Sequence, residues 1–333
     1  MLLLRDASFA KPICDWVQQH FNDIKKAAEA YSNHAKLITI DTHVLAHCVH
    51  LHFVYTTGDA SGQNMTTTCT WHGLLFLVDE LRSAFPDCDF EFIIEGNGAS
   101  DKKVSSHNIE HGRGIRVTAQ CDIPRQVIHE VLRTTPERML EFIKPSQEYA
   151  KKMGIVTFNV NVANAIAGIV VSTGQELDSI HESSSALLDM QPLGSEVYPD
   201  GVRITLTLTN LVIGTVGGGT HVSKQAEALA MMDCLGGGKV HRFAKLIAGF
   251  SLALEISTYA AIMSGEFAKA HEKLGRNKPV SWLLKSEITP EFLAPHLQNW
   301  LGNRLIQSLS WKGDAQLENG IITNITGKIS NKL

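Results

Sequence analysis

Ile213-Gly214-Thr215-Val216-Gly217-Gly218-Gly219-Thr220 places four glycines within six residues, between a predicted strand and a predicted helix. Upstream, apolar and polar residues alternate over residues 202–209, a period of two that predicts a half-buried strand. Downstream, residues 223–234 have the apolar spacing of a helix. Glycine has no Cβ, so another backbone or a ligand can come close, and a helix N-terminus favours phosphate. The stretch indicates a turn that needs positive φ or an anion-binding loop, although it matches neither GxGxxG nor the P-loop.

A second informative stretch follows a long apolar segment: Met263-Ser264-Gly265-Glu266-Phe267-Ala268-Lys269-Ala270-His271-Glu272-Lys273-Leu274-Gly275-Arg276. Together with the glycine stretch, it resembles the C-terminal half of 3-hydroxy-3-methylglutaryl-coenzyme A (HMG-CoA) reductase of the class I type. The resemblance implies a dimeric enzyme that reduces an acyl-coenzyme A thioester, with HMG-CoA as the default substrate and NADPH or NADH as reductant. It also implies dinucleotide contacts within the glycine stretch, at Gly214, Val216, Gly217, Gly218 and Gly219.

Length and composition narrow the class of protein. The 333 residues suggest about two domains, and 44% hydrophobic with 19% charged residues is typical of a globular protein. A net charge of −4 gives no support for a nucleic-acid or membrane partner. The six cysteines include no C-x-x-C pair, which favours reduced thiols and a cytoplasmic location. The most apolar region, residues 243–263, contains Lys245 and Glu255, so we expect a core helix rather than a membrane span.

Residues 1–94 predict a small α+β domain. Helical spacing and period-two alternation predict, in order, helix 14–32, strand 36–41, strand 49–55, helix 66–85 and strand 90–94. This order suggests an antiparallel sheet. The family resemblance implies that the domain is ferredoxin-like and binds the dinucleotide.

The second strand of that domain is joined to its second helix by the loop Gly58-Asp59-Ala60-Ser61-Gly62-Gln63-Asn64-Met65. The family has Gly-Asp-Ala-Met-Gly-x-Asn-Met at this place, so Ser61 replaces its Met. The glycines permit a tight approach and Asn64 can cap the helix, features that also fit an ordinary helix start. The resemblance implies cofactor contacts at Asp59, Ser61, Gly62, Gln63, Asn64, Met65 and, ahead of the first predicted strand, Ser32.

Residues 95–333 predict a larger, helix-rich α/β domain, which the resemblance assigns to substrate binding and dimerisation. Its predicted elements are strand 115–121, helix 124–133, helix 158–173, strand 202–209, helix 223–234, helices within 240–274, helix 290–308 and a short strand at 319–323. Glycine at 174 and proline at 124 supply the expected helix end and helix start.

Reduction of a thioester to an alcohol needs a fixed cation for the oxyanion, and acids for the departing thiolate and the aldehyde oxygen. In the family, a Lys in an Asp-Lys-Lys loop and a His near the C-terminus meet two of these needs. The resemblance therefore assigns the oxyanion to Lys102, the thiolate acid to His271, and the positioning of Lys102 to Asp101. It also implies substrate contacts at Lys103, Asn97 and Asn164.

The catalytic carboxylate of the family is altered in this chain. The family has Asp after a Gly-Gln pair, whereas Gly174-Gln175 is followed here by Glu176, with Asp178 nearby as a weaker substitute. Next to a lysine, such a carboxylate tunes pKa values by its charge. The longer side chain of Glu176 could serve the same reaction, serve a different substrate, or mark relaxed selection.

A further catalytic Glu of the family lies in a Glu-Asn-Val-Ile-Gly segment upstream of the cofactor domain, where this sequence begins. We expect either a second chain that supplies the segment or a divergent enzyme. Asn33 stands where the family has an Arg that binds the 2′-phosphate of NADPH, which leaves NADH as an alternative. Glu95 and Asn161 replace a Ser and a His of the family.

Two functions of different classes remain after these comparisons of motifs. The first is a working, dimeric NAD(P)H-dependent reductase. The second is a divergent member, repurposed in secondary metabolism or acting as a cofactor-binding subunit of a split enzyme. His43, His47, His50 and His52 have no Cys or carboxylate at ligand spacing, so we expect no metal site.

Overall fold

The computed structural model describes residues 1–96, 98, 101–274, 289–295, 304–311, 317–318, 321–322 and 325–331. The chain divides into two compact units, Met1–Ser264 and Gly265–Leu333. The first unit contains two separate clusters of buried apolar side chains, one from residues 2–90 and one from residues 123–259. Each cluster packs a sheet against helices, so the first unit is built in two parts.

An antiparallel sheet organises the N-terminal part. Its strands are β1 (Leu2–Leu4), β2 (Lys36–Leu45), β3 (Cys48–Thr56) and β4 (Phe90–Phe92), in the spatial order β2-β3-β1-β4. Helices α1 (Ala10–Gln19), α2 (Phe21–Glu29) and α3 (Gln63–Ala84) connect them. Every strand pair is antiparallel, as predicted from the sequence.

Two elements of this sheet differ from the sequence prediction. Strand β1 is not predicted, because three residues are too few to show a period, yet it lies between β3 and β4 and buries Leu2 and Leu4. The helix predicted over residues 14–32 is two helices that meet at His20, whose φ of −103° and ψ of 17° leave the helical region. The His20 ring stacks on Trp16, and its Nδ1 lies 2.9 Å from the Trp16 carbonyl oxygen.

A three-stranded antiparallel sheet organises the rest of the first unit. Its strands, β5 (Ile115–Pro124), β6 (Ala186–Gly194) and β7 (Pro199–Leu211), lie in the order β5-β7-β6. The helices are α4 (Ser106–His111), α5 (Arg125–Glu130), α6 (Pro136–Lys152), α7 (Val162–Thr173), α8 (Ile180–Ser183), α9 (Ser223–Met231) and α10 (Val240–Ser264). The alternate residues Val202, Ile204, Leu206 and Leu208 are fully buried, which confirms the inward face predicted for β7.

Some boundaries of this part are corrected by tertiary contacts. Helix α7 begins at Val162, not at residue 158, because Phe158 forms a β-bridge with Leu187. Helix α6 and strand β6 are not predicted from the sequence. Helix α6 carries Pro145 in its interior, a residue that usually ends a helix.

The glycine stretch follows β7 and requires glycine for two different reasons. A Cβ on Gly214 would lie 2.9 Å from the Ser61 backbone nitrogen, so only glycine allows these two segments to approach. Gly217 and Gly218 have φ values of 76° and 55°, the left-handed region that favours glycine. A short 3-10 helix, Gly218–His221, then leads to α9, and the predicted positive-φ turn is confirmed.

Helix α10 is the one helix of the described residues that is long and apolar enough to cross a membrane by length and composition. Here it packs against α7, β5 and β7. Its buried residues include Phe243, Ile247 and Glu255, three positions on one helical face. The charged Glu255 is therefore part of the packed side of the helix.

The second unit contains helices α11 (Glu266–Leu274) and α12 (Pro290–Leu293) and strands β8 (Arg304–Trp311), β9 (Leu317–Glu318), β10 (Ile321–Ile322) and β11 (Ile325–Asn331). Strand β8 pairs with β11, and β9 pairs with β10, both antiparallel. The helix predicted over residues 290–308 is confirmed at Pro290–Leu293 and wrong over residues 304–308, which belong to β8 and find their hydrogen-bond partners in β11; residues 296–303 lie outside the described residues. The short strand predicted near residue 321 is confirmed.

Candidate active site

The loop that carries Lys102 lies between β4 and α4 and is held by partly buried hydrogen bonds. Lys102 has a φ of 60°, a left-handed conformation that is uncommon for a residue other than glycine. Its backbone N–H donates to Glu182 Oε1 at 2.9 Å. Asn108 Nδ2 donates to the Lys103 carbonyl oxygen at 2.6 Å. These two bonds fix the backbone on both sides of the Lys102 side chain.

The amino group of Lys102 forms an ion pair with Asp178. Nζ lies 2.7 Å from Asp178 Oδ2, and the two side chains are 42% and 46% exposed. The hydrogen bond that Lys102 donates to Asp178 is the largest cause of the raised pKa of Lys102, so the amine keeps its charge. Asp101, the partner expected from the resemblance, instead has its Oδ2 4.0 Å from Arg113 Nη1. Asp178, which the sequence offers as a weaker substitute for the family's Asp, is thus the carboxylate that pairs with the Lys102 amine in the structure.

Glu182 is a fully buried carboxylate beneath this loop, at 0% exposure. It accepts hydrogen bonds from Arg113 Nε at 3.2 Å and from Asn210 Nδ2 at 3.0 Å, besides the Lys102 N–H. Burial acts to lower the pKa of the Arg113 guanidinium, but the bond to Glu182 and its charge raise it on balance. The buried charge of Glu182 is thus compensated by a neighbouring cation.

Glu176 lies on the other side of Arg113 and is linked to it by Gln63. In the orientation that satisfies both ends of its amide, the Gln63 nitrogen donates to Glu176 Oε1 and Oε2 at 2.6 and 2.7 Å. The Gln63 oxygen accepts from Arg113 Nη1 at 3.0 Å. Burial is the largest cause of the raised pKa of Glu176, and the charge of Asp178 adds to it. The sequence expectation that Glu176 lies near Lys102 agrees with this geometry.

The predicted cofactor loop is anchored to the region after the glycine stretch. The Asp59 carboxylate accepts from Gly238 N–H at 2.8 Å and from Val240 N–H at 3.1 Å, at the start of α10. These backbone bonds lower the pKa of Asp59. The Asp59 carbonyl oxygen accepts from Thr215 N–H at 2.8 Å. Asp59 therefore caps α10, whereas the Gln63 amide is hydrogen-bonded to Glu176 and Arg113.

Open space surrounds two of the predicted cofactor glycines. A Cβ on Gly217 or Gly218 would meet no atom within 4 Å, and the same holds for Gly58 at the start of the predicted cofactor loop. Helix α3 begins after Gly62 with no side-chain hydrogen bond at its cap and no acidic residue in its first turn. Such a helix start favours an anion.

The other residues predicted for the substrate or cofactor site make local contacts within their own segments. Asn164 Nδ2 donates to Asn161 Oδ1, and Ser32 Oγ accepts from the backbone N–H groups of His34 and Ala35 at 3.1 and 3.2 Å. His271 belongs to the second unit, where its ring Nδ1 lies 2.8 Å from the Phe267 carbonyl oxygen. Asn97 is outside the residues that the structure describes.

A cleft of about 720 Å³ adjoins the Lys102 loop, between the N-terminal sheet and α4. Its lining includes the imidazoles of His43, His50, His52, His107 and His111. Burial is the main cause that lowers the pKa of His52, with the nearby imidazoles adding to it. Within the described part of the chain, no group of three His, Cys, Asp or Glu residues is placed to hold a metal ion. The absence of a metal site stays a prediction.

Three important residues of the site have little signal in the sequence. Arg113 lies between two glycines, Gly112 and Gly114, a context that assigns it no role. Glu182 is followed by three serines and belongs to no motif. The one available signal is that Asp178 and Glu182 are four residues apart, a spacing that places two side chains on one side of a helix.

Comparisons with known proteins identify the family of the chain. The profile of the hydroxymethylglutaryl-coenzyme A reductase family matches residues 1–276. The chain is 33% identical over 264 residues to the 3-hydroxy-3-methylglutaryl-coenzyme A reductase of Methanothermobacter thermautotrophicus. It is 34% identical over 284 residues to that of Pyrococcus abyssi. The matches cover 79% and 81% of this chain, but only 64% and 66% of those relatives.

The fold is shared with solved structures of other proteins. One of them is the class II 3-hydroxy-3-methylglutaryl-CoA reductase of Streptococcus pneumoniae bound to NADPH, at a TM-score of 0.53 and 16% identity. The match covers 78% of this chain and 69% of that chain. Since the family profile matches most of the chain, the protein belongs to the hydroxymethylglutaryl-coenzyme A reductase family.

Proposed function

We propose that the protein is an NAD(P)H-dependent reductase of class I type that converts an acyl-coenzyme A thioester to an alcohol, with HMG-CoA to mevalonate as the default reaction. The observation that carries the proposal is the Lys102 site. A charged amine is held at 2.7 Å from Asp178 on a loop fixed by the buried Glu182. A fixed cation is what a developing oxyanion requires.

A dinucleotide fits the residues that the family uses for it. The uncapped start of α3 and the open space at Gly217 and Gly218 provide a seat for a pyrophosphate. When bound, the dinucleotide supplies the hydride. NADPH is the proposed form, as in the pneumococcal relative; the alternative NADH is compared directly in the assay below.

The other roles in catalysis and substrate binding belong to individual side chains. Lys102 stabilises the oxyanion that forms at the substrate carbonyl, and Lys103 binds the far carboxylate of the substrate. Asn164 also contacts the substrate. His271 protonates the thiolate of coenzyme A as it departs. Glu176 completes the charged set around Lys102.

The domain assignment follows the same reasoning. Residues 1–94 act as a ferredoxin-like dinucleotide domain, supported by the strand order β2-β3-β1-β4 with helical connections. Residues 95–333 act in substrate binding and dimerisation. The enzyme works in the cytoplasm as a homodimer.

Oxidation of NADPH and NADH at 340 nm tests this proposal, with HMG-CoA and then mevaldehyde as substrates. Lys102→Ala should abolish turnover because the oxyanion loses its cation, while dinucleotide affinity stays within about threefold of wild type, since Lys102 carries the oxyanion role and not a phosphate contact. Lys11→Ala removes an exposed lysine paired with Asp15 and serves as the matched control.

Unchanged turnover in Lys102→Ala would refute the mechanism. Oxidation with mevaldehyde alone would place the defect in the thioester step or the coenzyme A site. If neither substrate is reduced while a dinucleotide still binds, the chain is a divergent member that acts on another substrate.

A further inference from the structure

Gln63, the first residue of α3, lies between two side chains of opposite charge and bonds to both. We propose that Gln63 is a positioning residue, which fixes the start of α3, the candidate phosphate seat, relative to the Lys102 loop. The inference rests on the reductase function proposed above only in its kinetic test. It gives the Gln63 side chain a role other than the cofactor contact that the family resemblance implies.

The amide of Gln63 has its full set of hydrogen bonds within the protein. Its nitrogen donates to Glu176 Oε1 and Oε2 at 2.6 and 2.7 Å, and its oxygen accepts from Arg113 Nη1 and Nη2 at 3.0 and 2.6 Å. An amide offers two N–H donors and an oxygen with two lone pairs, so every position is taken. The opposite orientation would set oxygen against the carboxylate and nitrogen against the guanidinium, and these bonds would be lost. The side chain therefore has no donor or acceptor left for a dinucleotide.

Arg113 extends this contact to the Lys102 loop. Its Nε donates to the buried Glu182 carboxylate at 3.2 Å, and Glu182 Oε1 accepts from the Lys102 backbone N–H at 2.9 Å. Consecutive hydrogen bonds thus join the first residue of α3 to the backbone that carries the Lys102 amine. A displacement of Gln63 would therefore move the residue to which the oxyanion is assigned.

Glu176 extends the contact in the other direction, to the glycine stretch. It follows Gln175, whose Oε1 accepts from the Gly214 N–H at 2.8 Å. One short turn thus bonds to the glycine stretch through Gln175 and to the start of α3 through Glu176. Gln63 is the side chain that connects this turn to Arg113, so it joins both candidate dinucleotide segments to the Lys102 site.

A neutral side chain at position 63 suits the charges on either side. Arg113 already faces the full negative charge of Glu182, and a carboxylate at position 63 would face Glu176 directly. Like charges at such a distance repel, and partial burial strengthens the repulsion. A methionine would have a similar length but could neither donate to Glu176 nor accept from Arg113. The amide of glutamine meets both needs.

Relocating the charge tests this contact without any turnover. Gln63→Glu should lower the melting temperature by about 2–4 °C, because two carboxylates then face each other. The double variant Gln63→Glu/Glu176→Gln should recover most of this loss, since the amide at position 176 can donate to the carboxylate at position 63, which still accepts from Arg113. Gln19→Glu, at the exposed end of α1, is the matched control. A double variant as unstable as Gln63→Glu, or Gln63→Glu as stable as the control, would overturn the contact.

Mevaldehyde reduction with NADPH separates a positioning role from a cofactor contact. Gln63→Met should lower kcat by about 10–10²-fold, because a misplacement of about 1 Å at the reacting groups costs up to this much. The Kd for NADPH and the KM for mevaldehyde should stay within about threefold of wild type. Gln19→Met, the control, should leave kcat and Kd unchanged. A Kd raised about tenfold or more, with kcat kept at saturating NADPH, would show a cofactor contact and overturn the proposal.

The two proposals fail differently. If wild-type protein reduces no substrate, the proposed reductase function fails, and the charge relocation still decides whether Gln63 joins Glu176 to Arg113. If wild-type protein is active and Gln63→Met keeps its full kcat, the reductase function stands and the positioning role of Gln63 is refuted.

Discussion

Glu182 and Glu255 are both fully buried glutamates of the first unit, but they are stabilised in different ways. Glu182 faces a cation, the Arg113 guanidinium, and also accepts from Asn210 and the Lys102 N–H. Glu255, in the middle of α10, accepts from the backbone N–H groups of Val160 at 2.7 Å and of Asn161 at the start of α7. One carboxylate is held by a charge and the other by a helix N-terminus.

The comparison shows how far backbone N–H donors alone stabilise a buried carboxyl group. Burial is the largest cause of the raised pKa of Glu255, and the N–H bonds from Val160 and Asn161 only partly oppose it. The N-terminus of α7 thus binds the carboxyl group without fully offsetting its removal from water. At Glu182 the guanidinium supplies a full opposite charge, so the pair depends on both members.

Arg113→Met should give the largest effect, because it leaves Glu182 buried without its cation. We expect a loss of about 3–5 kcal/mol in the free energy of unfolding, measured by urea denaturation. The double variant Arg113→Met/Glu182→Met should recover much of this loss, since neither charge is then buried alone. A double variant as unstable as the single one would show that packing, not charge, explains the loss.

Glu255→Gln should give a smaller, pH-dependent effect. A glutamate whose folded pKa is raised contributes most stability below its unfolded pKa, about 4.3, and loses it as the pH rises through the folded pKa. The unfolding free energy of Glu255→Gln, relative to wild type, should therefore rise from pH 4 to pH 8. A constant difference across this range would contradict the raised pKa of Glu255.

Asp59 extends the comparison to a partly exposed carboxylate at a helix start. Its pKa is lowered by the bonds from Gly238 and Val240, so its stabilising effect is present above the unfolded pKa of about 3.9 and is lost as the pH falls through the folded pKa. Asp59→Asn should lower the free energy of unfolding, measured by urea denaturation, by about 1 kcal/mol at pH 7, as expected for a weakened helix cap, and by less in acid. A loss of stability that grows as the pH falls would argue against this role.

Much of the fold is visible in the sequence because its signals are local. The alternation of β7 and the glycine stretch predict a strand and a tight turn, and both are confirmed. Strand β1 depends on β3 and β4, which lie far along the chain, and strand β8 depends on β11; neither pairing is visible in the spacing of residues within the strand itself. The break at His20 likewise depends on a side chain that turns back to Trp16.

The residues of the candidate site also differ in whether the sequence alone reveals them. Lys102 and Glu176 can be found from motifs, because each belongs to a short pattern with fixed neighbours. The contact between Lys102 and Asp178 cannot, since it depends on the left-handed backbone at Lys102 and on the turn that precedes α8. Glu182 is missed because a buried charge becomes recognisable only when its cation, 69 residues away, is in place.

The cap that Asp59 places on α10 also has a consequence for the order of folding. It joins residues 179 positions apart, so it closes a loop that includes most of the first unit. Closing so long a loop costs chain entropy that local contacts do not repay, and such contacts form late. We therefore expect the cofactor loop to acquire its final geometry only when the last segments of the unit dock.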